Sequence, residues 1–569
     1  MLKKRQFVVL LLLIMTYSAL SLRLFQLQVV DTDKFSELAD NQHNRIVKVE
    51  PRRGTIFDRH MDPLAINLDA PSIFCDPKFV KDPEHTARVL SEILGLDQGT
   101  ILSRVTRSGR FSWLSRKVDR DVSENIKRAG LPGIHICIES KRNYPNDSMA
   151  CHVLGFAGMD NAGLEGVERL FDADLRGEPG YSHMIKDARR NTVLLKEDES
   201  IPPKNGHNII LTIDAVIQYI TEEELKSGVN RSKASSGTVI VMDPYSGRIL
   251  ALANYPGYDL NLSGQTPRDI MKNDAVSSVF EPGSVFKVVT ASAVLNEGKI
   301  SPDDMFDCEN GEYAVGGRIL HDYHAYGKLS FSDVIAKSSN IGTVKAAHEL
   351  GKEKLYDYTR LFGFGENTGV DLPGEVAGIN RAPATWSKSD ITTIPIGQGI
   401  AVTPMQLACA ISAIANGGKL MEPYIVDRVT TWEGGEVRKN VPRVKKRVLS
   451  EETSKEMKKI LNRVVTDGTG KKAASKFFSS CGKTGTAQMV NPAGGYYDNK
   501  YNATFIGFAP MEDPVISIVV VVKDPQPVHF GGSVAGPVFK NISERTMQYI
   551  WSNKGPASRA GGQSGPVGK

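Results

Sequence analysis

Hydrophobic positions fall into three patterns along the chain. The first is a continuous run from Phe7 to Leu22 (FVVLLLLIMTYSALSL), preceded by Lys3, Lys4 and Arg5 and resuming after Arg23 with Leu24, Phe25 and Leu27. As a helix the run covers only about 24 Å, against a hydrocarbon core of ~30 Å. Arg23 can place its charged head at the far interface and let the helix continue. A cleaved signal peptide, an uncleaved anchor and a buried soluble helix all show such a run. No small-residue cleavage site stands out, the nearest stretch being Ser18-Ala19-Leu20-Ser21, so an uncleaved anchor over residues 7–28 is expected. The basic segment 1–6 predicts an amino terminus inside the cytoplasm. Val515–Val522 is the longest later apolar run, and its eight residues suit a buried strand. One span therefore leaves nearly the whole chain outside the cytoplasm.

The second pattern fills residues 29–205. A polar juxtamembrane stretch gives way to short alternating pieces (RIVKVEP, SIFCDP, GIHICIES) and helical pieces (HTARVLSEILG), which predict an α+β module. Pro202, Pro203 and Gly206 mark a break. The third pattern, over 206–552, starts with the strand HNIILTID and the helix AVIQYITEEELKSGV, for which Asp214 is the expected N-cap. GTVIVMD and RILALANYP predict a hairpin across Pro244–Gly247, and helical stretches occupy about 284–415. SSCGKTGTAQMV, NATFIGFAP and VISIVVVVKD read as strands, and GPVFKNISERTMQYIW as a closing helix. Strands at both ends with helices between them predict one antiparallel sheet flanked by helices, in a multidomain α+β protein. The Gly/Pro-rich residues 553–569 cannot bury a core and read as a flexible tail.

Composition narrows the classes. Of 569 residues, 41% are hydrophobic and 24% charged, which excludes a disordered, collagenous or coiled-coil chain. A net charge of +5 is spread along the sequence and gives no nucleic-acid footprint. The six cysteines lie far apart without CxxC or Cys/His clusters, so no structural zinc site is expected and any disulfide pairing stays open.

Three short motifs carry chemistry. Ser284-Val285-Phe286-Lys287 comes after Pro282-Gly283 at a predicted helix start. Positions i and i+3 share a helical face, which sets the Ser284 hydroxyl beside the Lys287 ammonium. Serine needs a base to become a nucleophile. A lysine serves only if burial and a neighbouring positive charge lower its pKa from about 10.4. The motif is weak alone: Ser480-Cys481-Gly482-Lys483 also matches it, and a serine there can simply be a helix N-cap. Ser338-Ser339-Asn340 offers a hydroxyl for proton relay and a carboxamide for orientation, though Ser123-Glu124-Asn125 has the same form and a plain turn or cap explains either. Lys483-Thr484-Gly485-Thr486 occurs once. On a strand Lys483 and Gly485 share a face, Gly485 would admit a ligand backbone, and the lysine and threonine hydroxyls suit a carboxylate. A solvated strand edge is the plain alternative, and a nucleotide-binding Walker A loop lacks its glycines.

Taken in order and setting, the three motifs form the set shared by penicillin-binding proteins and serine β-lactamases. The chain resembles a class B penicillin-binding protein, of the division (FtsI-like) type. RGTIFDR (53–59) with Pro63-Leu64-Ala65 and GLEGVERLFDADLRGEPG (163–180) resemble the family's pedestal, although the family usually has Gly where Met61 stands. LTIDAVIQ, VMDPYSGRILALANYP, FEPGSVFK, SSNIG, IGQGIAVTPMQ, KTGTAQ, ATFIGFAP and GGSVAGPVF resemble successive transpeptidase blocks. The resemblance implies a pedestal or dimerisation domain within 29–205 and a penicillin-binding transpeptidase domain over 206–552. A free β-lactamase would lack the pedestal and anchor. A bifunctional class A protein would carry a glycosyltransferase domain.

The resemblance also implies a role for each motif residue. Ser284 is the nucleophile, Lys287 its base, Ser338 a proton relay and Asn340 an orienting amide. Lys483, Thr484 and Thr486 hold the substrate's terminal carboxylate, Gly485 belongs to the same substrate-binding strand, and the backbone N–H groups of Ser284 and Thr486 form the oxyanion hole. The substrate is the D-Ala-D-Ala end of a peptidoglycan stem peptide, β-lactams acylate the same serine, and no metal or organic cofactor takes part. The FGFGENTGVDLPGE stretch (362–375) looks more like the division type. That type implies a SEDS-family glycan polymerase and other divisome membrane proteins as partners. A sporulation or elongation enzyme, or a penicillin-binding sensor without turnover, are the alternatives.

Overall fold

The computed structural model describes residues 2–36, 44–186 and 192–553, so the tail beyond Asn553 lies outside the described residues. The chain forms two compact units, one of residues 1–52 and 176–206, the other of 53–175 and 207 onward. The first begins with the helix Leu2–Phe25, which runs through Arg23 into a π-helical turn, Gln26–Val30. The 28 residues Lys3–Val30 are long and apolar enough to cross a membrane, about 42 Å at helical rise. Thr16 returns its hydroxyl to the Leu12 and Leu13 carbonyls, both at 2.9 Å, so this polar group needs no partner from outside the helix. The same unit holds a three-stranded antiparallel sheet ordered Asn44–Val49, Gly180–Lys186, Thr192–Ile201.

In the second unit a long sheet joins strands from the amino-terminal region to strands from later in the chain. Its order is Glu436–Lys439, Val426–Thr430, Asn208–Leu211, Ile56–Phe57, Pro63–Cys75, Ser112–Ser115, with Ile134–Asn143 also paired to Pro63–Cys75. The RGTIFDR segment fixes the join. Gly54 passes so close to His207 that a Cβ would stand 1.7 Å from its carbonyl oxygen. Arg53, 1% exposed, donates to Glu168 Oε2 at 2.7 Å, to Asp172 Oδ1 at 2.6 Å and to the Asn161 carbonyl at 2.8 Å. Arg142 takes the other oxygen of Glu168 at 2.6 Å. Asp58 accepts from the backbone of His60 and Asp62, and Met61 keeps the left-handed backbone of a glycine, φ +71°.

The remaining sheet is five-stranded and antiparallel: Ile249–Tyr255, Ser236–Met242, Ile516–Lys523, Tyr496–Ala509, Cys481–Val490. The predicted hairpin, the three late strands and the Asp214 cap, which accepts from Val216 and Ile217 N–H, are all found. The valine run is apolar throughout because both its faces are covered. Val519 and Val521 pack into the core that contains Val288, Ile411 and Leu461. Val520 and Val522 face the helices Ala215–Arg231 and Gly531–Asn553, among Leu225, Val538 and Phe539. Each such valine contributes roughly 1.5–3 kcal/mol by burial. Cys481–Val490 is the edge strand, and the site forms along it.

Candidate active site

The turn carrying Ser284 is set by glycines. Gly283 has φ +55° and starts a 3₁₀ turn, Gly283–Phe286, which passes into the buried helix Lys287–Asn296. Gly283 N–H donates to the Gly397 carbonyl at 3.0 Å, and a Cβ on Gly397 would stand 2.1 Å from the Gly283 carbonyl oxygen. A Cβ on Gly485 would meet Val285 Cγ1 at 2.9 Å and the Pro282 carbonyl at 3.1 Å. The bare strand position therefore admits the serine turn of the chain itself, where the sequence suggested a ligand backbone. Ser284 is half-buried and makes no side-chain hydrogen bond among the described residues. It caps no helix: the side-chain N-cap reading fails because the residue lies inside the 3₁₀ turn.

Lys287 is fully buried. Its Nζ donates to the Ser338 carbonyl at 2.7 Å, to Asn340 Oδ1 at 2.7 Å and, more weakly, to Ser338 Oγ at 3.3 Å. The i,i+3 spacing does bring this lysine into the site, yet its ammonium is held by the Ser-x-Asn turn and not by Ser284. Asn340 donates its amide to the His321 carbonyl at 2.8 Å, which assigns Oδ1 to the lysine. Ser338 takes φ +61° at the turn before the helix Asn340–Leu350. Asp322 holds that turn. Its carboxylate accepts from Ser339 Oγ at 2.5 Å, from Ile341 N–H at 3.0 Å and from Asn340 N–H.

Lys483 closes the constellation from the edge strand. Fully buried, its Nζ donates to Ser338 Oγ at 2.9 Å and to the Thr484 carbonyl at 3.1 Å. One hydroxyl thus sits between two lysines from segments remote in sequence. Thr484 pairs its hydroxyl with Thr469 at 2.6 Å, and Thr486 Oγ1 accepts the Gly531 N–H at 3.1 Å. Thr486 also turns its carbonyl towards Gly283, 3.2 Å from a Cβ there. The competing motif matches separate: Ser480 is buried beside the strand without a hydroxyl partner, and Ser123 returns its hydroxyl to Arg120 within the helix Arg120–Ala129.

Burial dominates the electrostatics. Desolvation pushes Lys287 down to about 7, against the opposing pull of Asp322 and then Cys308. Lys483 falls well below the ordinary lysine range, first by burial and then by the Lys287 charge. A lysine amine of lowered pKa beside a serine hydroxyl, with the edge strand and the serine turn alongside, has the groups that base-assisted acyl transfer needs.

Sequence reasoning missed Asp322, Glu281 and Tyr496. Glu281 accepts the Gly399 N–H at 2.8 Å and the Tyr496 hydroxyl at 2.9 Å, tying the approach to Ser284 to two other segments. Nothing in HDYHAYG or in a lone tyrosine marks these roles, because they arise from contacts between distant segments. All six cysteines are free thiols.

The family model for the penicillin binding protein transpeptidase domain matches residues 237–544, and that for the penicillin-binding protein dimerisation domain matches 48–211. Stage V sporulation protein D of Bacillus subtilis is 36% identical over 558 residues, covering 96% of this chain and 85% of that protein. Peptidoglycan D,D-transpeptidase FtsI of Escherichia coli is 34% identical over 529 residues, covering 91% and 87%. The crystal structure of penicillin binding protein 3 from Mycobacterium tuberculosis with aztreonam superposes with a TM-score of 0.70 at 30% identity, over 89% of this chain and 97% of that one. With two matching domain models, an amino-terminal apolar helix and relatives along nearly its whole length, this chain belongs to the class B penicillin-binding proteins.

Proposed function

We propose that the chain is a peptidoglycan D,D-transpeptidase that cross-links stem peptides through an acyl-enzyme on Ser284 and is inhibited there by β-lactams. The observation that carries this reading is the Ser338 hydroxyl, shared by Lys483 and by Lys287, which lies one helical turn beyond Ser284. Neutral Lys287 takes the Ser284 proton as Oγ attacks the carbonyl of the penultimate D-alanine. The backbone N–H groups of Ser284 and Thr486 receive the oxyanion. A single such donor is worth about 10²–10³ in rate. Ser338 passes the proton on to the departing nitrogen and terminal D-alanine leaves. Lys483 with Thr484 and Thr486 holds the terminal carboxylate, Gly485 keeps the strand flush with the serine turn, and Asn340 orients the donor amide. An amine of a neighbouring stem then attacks the ester, forming the cross-link and returning Ser284.

In this reading residues 7–28 anchor the protein in the cytoplasmic membrane with residues 1–6 inside. Residues 29–205 are pedestal and 206–552 the catalytic domain, both outside. The site of action is the division septum, beside a SEDS-family polymerase and divisome membrane proteins. The resemblance to stage V sporulation protein D supports a second reading, a sporulation-specific role. Depletion that gives filaments supports the septal role. Normal division with failed sporulation supports the other. Purified full-length protein, given natural donor and acceptor peptides, should release one D-alanine per cross-linked dimer. Stable penicillin acylation without dimers or D-alanine release would make it a sensor.

A further inference from the structure

A cavity of about 620 Å³ shares no lining residue with the transpeptidase site; one wall comes from the segment His152–Arg169 and the other from Tyr258 and the segment Arg268–Ser277. It thus sits where the part matching the dimerisation model meets the part matching the transpeptidase model.

Its walls are built. Gly155 and Gly166 cross so closely that a Cβ on Gly166 would stand 2.5 Å from the Gly155 nitrogen. Buried His152 donates its Nε2–H to the Ile270 carbonyl at 2.8 Å and packs edge-on against Tyr258 with centroids 5.4 Å apart. Tyr258 in turn donates to the Cys151 carbonyl at 3.2 Å. The shape is therefore fixed before any ligand arrives, as small-molecule sites generally are.

The charges on its rim are unbalanced. Arg169 and Arg268 line the space, and neither has an acidic partner among the described residues. Lys272 stands 3.9 Å from Asp274, whose carboxylate is already taken by Lys523 at 2.5 Å and Ser278 at 2.5 Å. Glu165 is the one lining carboxylate, and it makes no ion pair among the described residues. Arg53, Arg116 and Arg545 of the same unit, by contrast, each lie on a carboxylate. Three cations around one acid, over a floor with Phe156 and Met271, favour a ligand with anionic groups on a compact apolar body.

We propose that this cavity is a second binding site, for a small ligand bearing two or more carboxylate or phosphate groups. Its volume suits a short peptide or a molecule of similar size. The guanidinium groups of Arg169 and Arg268 hold the anionic groups and Lys272 adds a third contact.

The test is calorimetric titration of full-length protein in detergent with triglutamate, with inorganic pyrophosphate and with triglutamine. Saturable, salt-sensitive binding is expected for triglutamate, for pyrophosphate or for both, and none for triglutamine. The anion that binds identifies carboxylate or phosphate as the source. Arg169→Ala and Arg268→Ala should each weaken it about tenfold or more, while labelled-penicillin acylation of the same samples stays at the wild-type rate and certifies the fold. Absence of saturable binding for both anions overturns the site, as does binding unchanged in the double variant.

Discussion

Lys287 has no solvent contact, and its amine is held between a carbonyl, a carboxamide and a hydroxyl. Burial lowers its pKa to about 7, and only the neutral form can accept the Ser284 proton. Below that pH the amine is charged and acylation is slow; above it acylation is fast. Penicillin acylation, monitored by stopped-flow, should rise with pH through a midpoint near 7. A midpoint near 10 would mean that Lys287 is not the base. Asp322 opposes the lowering, so Asp322→Asn should move that midpoint to lower pH and slow acylation at its plateau by loosening Asn340. An unmoved midpoint would remove Asp322 from the electrostatics. The meeting of Lys287, Ser338, Asn340 and Lys483 was foreshadowed by three motifs that are local patterns. Asp322 was not, because its three hydrogen bonds reach 17–19 residues along the chain from an unremarkable loop.

At the level of elements, the serine turn is wedged between the Gly397 loop and the edge strand. Gly397 has φ +80°, and a side chain there would strike the Gly283 carbonyl. Gly397→Ala must displace the turn, and a displacement near 1 Å costs about 10² in rate. Acylation should fall by roughly that factor in protein that still unfolds cooperatively; a wild-type rate would show that the loop does not position Ser284. The strands were legible from period and length, including the valine run with two covered faces. The purpose of Gly485 was not: a glycine in a strand signals a close approach, but only the tertiary structure reveals that the approaching group is Val285.

Across the whole molecule, the buried Arg53–Glu168–Arg142 cluster ties the amino-terminal segments of the second unit together. Glu168→Ala leaves two buried guanidinium groups without their shared carboxylate and should cost about 3–5 kcal/mol, read as a lower denaturant midpoint. A loss below 1 kcal/mol would mean that the cluster is solvated in solution. Met61 takes a left-handed conformation that ordinarily favours glycine. Met61→Gly should leave stability unchanged or raise it by up to about 1 kcal/mol, the relief of a strained φ offset by glycine's greater freedom when unfolded. The sequence resemblance identified both RGTIFDR and the departure at Met61. It could not reveal that Gly54 lies against His207, a contact across 153 residues.

The most direct test of the account is peptide mass spectrometry of full-length protein after reaction with benzylpenicillin. The account predicts one penicilloyl group, on the peptide containing Ser284, and none in Ser284→Ala protein. A penicilloyl group on any other residue, or one that persists in the Ser284→Ala protein, would contradict it.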